Sequence, residues 1–350
     1  MLRLPTEILD KIILFSNDSD LIEIIPNVSK EYLYKLIKPE TILIYGGVQS
    51  GKTKEIMSQL KSSKGKQVLL IQNSKQVLNQ YIKNLKENGL KFHVIETTDG
   101  NTQLYNTNDI FVVINNKYRK NAFLRVLSNR IVHKMFFDEG DITYETNPNL
   151  RGVKNIIITA TPFNMNTTFD RIIKVPYTDN YKGVEKLVIK SSNEVLNEFE
   201  NVQEGLLLYK VSSYILYMVD DARMLSNRYR NTPVILFCSD KVEYLNGISR
   251  TIPYNKSISS IIDDLPRKAI IVSHRMAMRG LSFVSSDYTR HITHQISSVS
   301  NCSNFLQSLR ILGKFDDNHE LKLGIHVSEE DELSTVLKRV DKYTNKVIEF

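Results

Sequence analysis

Short apolar runs alternate with amphipathic stretches along most of the chain. Thr41-Ile42-Leu43-Ile44-Tyr45 is β-rich and apolar, and Lys54 to Leu60 follows it with Ile56 and Leu60 four apart on one helical face. Gln67–Asn73 predicts a buried strand before a helix over Lys75–Asn88. His93–Glu96 and Asp109–Asn115 predict further strands, the latter before a helix over Tyr118–Ser128. Lys134–Phe137 and Asn155–Ile158 complete this set. Apolar strands separated by helices mean a parallel sheet covered on both faces. A polar section follows, with a helical stretch over Asn193–Arg230 that reads as a bridge. A second set then appears at Val234–Cys238, Ala269–Val272, Arg290–Thr293 and Leu323–Val327, before a basic C-terminal helix bearing Lys338, Arg339, Lys342 and Lys346. Residues 1–38 read as short helices, with Pro5 in a first turn and Ser19 and Ser29 as caps. The pattern predicts an α/β protein: a small helical segment over 1–38 and two parallel-sheet domains over 39–190 and 195–350.

Composition changes little in that picture. The chain has 350 residues, 41% hydrophobic and 24% charged, enough for two cores. Its net charge is +7, from 46 Lys and Arg against 39 Asp and Glu, which favours a polyanionic partner without requiring one. Cys238 and Cys302 build neither a disulfide framework nor a zinc site, and the histidines show no metal spacing. The N-terminus lacks the features of a signal peptide, and no apolar run approaches the ~20 residues that span a bilayer. The expectation is a soluble intracellular protein with no membrane partner.

Candidate chemistry begins at the end of the first strand. Gly46-Gly47-Val48-Gln49-Ser50-Gly51-Lys52-Thr53 fits G-x-x-x-x-G-K-[ST] between a strand and a helix. Glycines at 46, 47 and 51 allow a tight turn whose N–H groups converge on an anion, and the helix N-terminus adds partial positive charge. Lys52 would reach the outer phosphates of ATP and the Thr53 hydroxyl would ligate Mg²⁺. Phe136-Phe137-Asp138-Glu139 is an apolar strand ending in two acids. Asp138 would join the Mg²⁺ shell, and Glu139 would position and deprotonate the attacking water. Thr159 and Thr161 flank Ala160 at a strand end, where their hydroxyls could bond the acids of the preceding strand.

These segments, in this order, resemble superfamily 2 helicases over most of residues 39–320. Asp138-Glu139-Gly140-Asp141 resembles the DEAD/DEAH box, and Thr159-Ala160-Thr161-Pro162 the motif that couples ATP state to nucleic-acid binding. Arg279-Gly280-Leu281-Ser282-Phe283 resembles motif V, and Gln307-Ser308-Leu309-Arg310-Ile311-Leu312-Gly313-Lys314 resembles motif VI. The resemblance implies two RecA-like domains with ATP in the cleft between them. Gln307 and Arg310 would face the nucleotide, Arg310 as arginine finger, while Asn73 and Arg279 would lie near single-stranded or duplex DNA or RNA. Read without the family, Arg310 is a surface or ion-pair arginine on an amphipathic helix whose apolar face is Leu306, Leu309 and Leu312, and Ser74 beside Asn73 is a helix cap. The pattern departs from the family: Leu309 stands near the usual glycine, Lys314 where a last arginine is common, and Ser282 where an acid is frequent in motif V. This set looks like divergent viral and phage-type members, which extends the expected location from cytoplasm or nucleus to a virion or viral factory.

Residues 1–38 carry a second resemblance. Leu4-Pro5-x-Glu7-Ile8-Leu9, Asp20-Leu21 and Val28-Ser29-Lys30-x-Tyr32 look like an F-box, with Tyr32 where tryptophan is usual. That implies a Skp-type ubiquitin-ligase adaptor as partner; the alternative is a helical extension of the ATPase domain. The leading expectation is an ATP-dependent nucleic-acid helicase or translocase. The alternatives are an F-box adaptor that uses the ATPase fold as a binding module, and an ATPase that remodels nucleoprotein without unwinding.

Overall fold

The computed structural model describes residues 40–95, 110–119, 123, 132–144, 153–237, 241–245, 251–253 and 258–349, apart from 64, 133, 213, 275, 276, 278 and 316. The F-box-like segment and Cys238 lie outside the described residues. By their contacts the described residues fall into two compact units. Residues up to Tyr45 group with Lys52–Val175, and Gly46–Gly51 group with Pro176 onward.

The first unit is built on seven strands: β1 (Thr41–Tyr45), β2 (Gln67–Ile71), β3 (Phe92–Ile95), β4 (Ile110–Ile114), β5 (Lys134–Asp138), β6 (Lys154–Thr159) and β7 (Arg171–Lys174). They form one parallel sheet in the order β3-β4-β2-β5-β6-β1-β7. β2 and β4 are buried throughout, because their continuous apolar runs put hydrophobic groups on both faces. Its helices include α1 (Lys52–Ser62), α2 (Lys75–Glu87) and the single turn α3 (Gly140–Thr143). Ser74 caps α2 by accepting the Val77 N–H at 3.4 Å, and the helix buries Val77, Leu78, Tyr81 and Leu85. One side of the sheet packs Leu43, Val68, Leu70, Val113, Phe137 and Ile157 into a common core. The register pairs Asp138 with Ile158 and Thr159 with Tyr45, so β5, β6 and β1 end together at one carboxyl edge. Ligands of open α/β sheets collect at such an edge.

The second unit contains β8 (Tyr181–Lys182), β9 (Leu187–Ser191), α4 (Ser192–Asn201), β10 (Gly205–Lys210), α5 (Ile215–Arg228), β11 (Val234–Phe237), β12 (Lys241–Leu245) and β13 (Thr251–Pro253). It continues through α6 (Ile258–Asp263), β14 (Lys268–Val272), β15 (Ile292–Ser298), α7 (Cys302–Gln307), β16 (Gly313–Lys314), β17 (Leu321–His326) and α8 (Leu333–Glu349). The sheet order is β13-β12-β11-β14-β10-β15-β17-β9, parallel except where β12 pairs with β11 and β13. Val195, Phe199, Ala222 and Leu225 from α4 and α5 pack with Leu207, Tyr209 and Ile296 on one face.

One expectation is corrected here. The helical stretch over Asn193–Arg230 is interrupted by β10, whose Leu206-Leu207-Leu208 are strong helix formers. Burial between two parallel neighbours overrides that propensity, since every residue of the run after Gly205 is buried. By its contacts the second unit includes β9, which pairs with β17. Where β9 ends, Ser191 and Glu194 form a reciprocal capping box on α4. Among the described residues no helix is long and apolar enough to cross a membrane.

Candidate active site

β5 delivers its two acids to the carboxyl edge of the first sheet. Asp138 and Glu139 are 9% and 7% exposed, so two adjacent carboxyls are nearly out of water. Burial, then the Glu139 charge, pushes Asp138 up to about 7, against the opposing pull of the Tyr81 phenol and the Lys52 ammonium. Glu139 adopts a left-handed backbone, φ 52°, which turns the chain sharply into α3. Gly140 has no room for a side chain: a Cβ there would overlap Cγ2 of Ile157. Asp141 on α3 accepts the Thr159 hydroxyl at 2.9 Å through Oδ1 and the Thr161 hydroxyl at 3.1 Å through Oδ2. The threonines thus bond the fourth residue of the acidic box. Thr143 ties the same turn back by donating to the Asp138 carbonyl at 2.9 Å.

Tyr81 joins this cluster from α2. Its phenol faces Asp138 and Thr53, and burial followed by the Asp138 charge raises its pKa well above the usual value. The sequence reading passed over it, because Val77, Leu78, Tyr81 and Leu85 have the spacing of an ordinary core face.

The loop Gly46–Gly51 belongs to the second unit by its contacts. Gln49 at φ 57° and Gly51 at φ 102° take the left-handed conformation. Gly47 is needed for space instead: a Cβ there would overlap the Tyr181 hydroxyl. The Gly47 N–H donates to the Tyr177 hydroxyl at 3.0 Å, and the Tyr181 hydroxyl donates to the Val48 carbonyl at 3.0 Å. The two tyrosine rings are stacked, 4.4 Å between centroids. The Gln49 amide donates to the Arg310 carbonyl at 3.1 Å, and a Cβ on Gly51 would lie 3.2 Å from Lys314 Nζ. Ser50 Oγ is buried with no hydrogen-bond partner among the described residues. Sequence spacing marked the loop but not Tyr177, Tyr181 or the work of Gln49.

The remaining expected residues occupy distinct places. Gln307 is buried and ends α7, so Arg310 sits in the following turn rather than on a helix. Arg310 is 3% exposed, and its Nη1 donates to the Leu281 carbonyl at 2.9 Å. Gln295 on β15 holds that turn at both ends, accepting the Ile311 N–H and donating to the Ser308 carbonyl. Arg279 is buried and its Nη2 donates to Ser303 at 3.1 Å and Asn304 at 3.0 Å. Asn73 is exposed just beyond β2.

The donor set fits a nucleotide with Mg²⁺. A buried carboxyl pair strained by its own charge is relieved by a divalent cation, and Thr53 and Asp138 are hard oxygen donors. Among the described residues no group of three or more His, Cys, Asp or Glu forms a metal cage. Few protein ligands suit Mg²⁺, which keeps waters and phosphate oxygens.

No protein-family model matches the chain, and no curated protein matches it in sequence. Among solved structures it is similar to RecG bound to a three-way DNA junction, with a TM-score of 0.52 and 12% identity over 98% of this chain. It is also similar to S. cerevisiae Dbp5 bound to RNA and ADP BeF3, with a TM-score of 0.54 and 11% identity over 96% of this chain. It spans 47% of the RecG chain and 93% of the Dbp5 chain. These likenesses show a shared fold of two RecA-like domains. Within that fold, the two parallel sheets are the two RecA-like domains.

Proposed function

We propose that the protein is an ATP-dependent nucleic-acid translocase or helicase. The observation that carries this reading is the buried Asp138–Glu139 pair at the edge where β5 meets α3, in a fold shared with nucleic-acid-bound proteins. Lys52 and the N–H groups of the loop ending at Gly51 hold the triphosphate. Thr53 and Asp138 hold Mg²⁺, which when bound neutralises charge on the phosphates. Glu139 orients a water and takes its proton. Arg310 offsets charge developing on the transferred phosphate. Asp141, tied to Thr159 and Thr161, links the acidic turn to β6, a path by which nucleotide state reaches the nucleic-acid face. Asn73 contacts the nucleic-acid backbone from its exposed position. Arg279 would do so by exchanging its bonds to Ser303 and Asn304 for phosphate. An adaptor role for residues 1–38 rests on the sequence alone.

The test is the ATPase rate with single-stranded DNA, single-stranded RNA and no nucleic acid. One of the two nucleic acids should stimulate turnover, and Lys52→Ala should reduce it at least about a hundredfold. Unchanged turnover in Lys52→Ala would sink the reading.

A further inference from the structure

Lys210 ends β10 and is 3% exposed, yet among the described residues its ammonium has no hydrogen bond and no ion pair. The register places it. Lys210 pairs with Ser297 of β15 in a parallel ladder, so it shares a face with Ser297 and Gln295. Those two side chains are bonded to each other at 2.8 Å. The opposite face, carrying Leu207, Tyr209 and Ile296, is the apolar core under α4 and α5. Gln295 holds the turn bearing Arg310, so Lys210 points to the side where that guanidinium is buried.

Two buried cations therefore lie near one another. Burial and the Arg310 charge together depress the Lys210 pKa to about 8. Burying the Lys210 charge with no counter-charge among the described residues is costly, and such groups persist where a ligand of opposite sign compensates. The same turn reaches the phosphate loop, through Gln49 on the Arg310 carbonyl and Lys314 beside Gly51.

We propose that Lys210 and Arg310 form a two-cation site for the terminal phosphate of a nucleoside triphosphate. Lys210 then distinguishes triphosphate from diphosphate by a contact that only the triphosphate makes. This assignment rests on the nucleotide reading given above.

Affinity for fluorescent N-methylanthraniloyl ATP and ADP, with Mg²⁺, tests it in the full-length protein. Lys210→Met should weaken ATP about tenfold and leave ADP within about twofold, while Lys210→Arg keeps most of the preference. Without nucleotide, Lys210→Met should unfold at or above the wild-type temperature, since it removes a buried charge. Lys210→Gln, with its polar tip, should show the same loss of preference for ATP. An unchanged ATP to ADP ratio in both Lys210→Met and Lys210→Gln overturns the proposal. So does an unchanged ratio accompanied by weaker binding of labelled single-stranded DNA or RNA, which assigns Lys210 to the nucleic-acid backbone. Wild type that binds neither nucleotide removes the nucleotide reading itself, and this site with it.

Discussion

Asp138 has a folded-state pKa of about 7, above the ordinary aspartate value of 3.8, so the folded chain holds its proton more tightly than the unfolded chain. Its contribution to stability therefore declines as pH rises from about 4 to about 7 and is level beyond. Asp138→Asn should raise stability at pH 8 by about 1–3 kcal/mol while removing ATPase activity, measured by urea unfolding and phosphate release. In the proposed function the carboxylate form would hold Mg²⁺, so turnover at limiting Mg²⁺ should climb through pH 7. The Tyr81 phenol facing Asp138 pulls its pKa down, so Tyr81→Phe should move that climb to higher pH and raise the Mg²⁺ requirement. An unshifted profile would reduce Tyr81 to packing. Asp138 and Glu139 were legible because an apolar strand ending in two acids is unusual along a chain. Tyr81 was not, because a phenol on a helical core face differs from its neighbours by one oxygen, whose direction is set only by the fold.

At the level of elements, the single turn α3 is wedged against β6. Gly140→Ala should cost about 1–3 kcal/mol, because the new methyl enters the volume of Ile157. A double-mutant cycle with Ile157→Ala should show coupling of about 1 kcal/mol between the positions, whereas additivity would mean that the turn simply moves aside. The threonine pair on β6 makes a different prediction. Thr159→Val with Thr161→Val leaves Asp141 without its two donors. Basal ATPase should persist, and stimulation by nucleic acid should fall severalfold, read from the ratio of the two rates. Strands with continuous branched apolar residues, such as β4 and β6, were readable directly. β10 was not: leucines suit a helix as well as a strand, and only its place between β14 and β15 decides the matter. Lys210 lies inside that stretch, so a reading of it as a bridging helix leaves this residue unmarked.

At the scale of the molecule, each sheet has its own core, and the doubled strand-and-helix pattern made that arrangement visible before any coordinates. The place of β9 was not visible, because it joins its sheet through pairing with a strand more than a hundred residues later, a non-local contact without a sequence signature. Ligand linkage gives a global check: ATP with Mg²⁺ at about a hundred times its Kd should add about 2.7 kcal/mol to stability, and Lys52→Ala should lose that increment. The stacked tyrosines at the phosphate loop have an optical consequence. The chain has no tryptophan, so its ultraviolet emission comes from tyrosine. Tyr177 and Tyr181 touch the loop through their hydroxyls, the group whose bonding governs tyrosine quantum yield. Arrival of a phosphate at the Gly47 N–H would displace the Tyr177 phenol and change its light. The wild-type minus Tyr177→Phe difference spectrum would then follow nucleotide entry in real time, with no label attached.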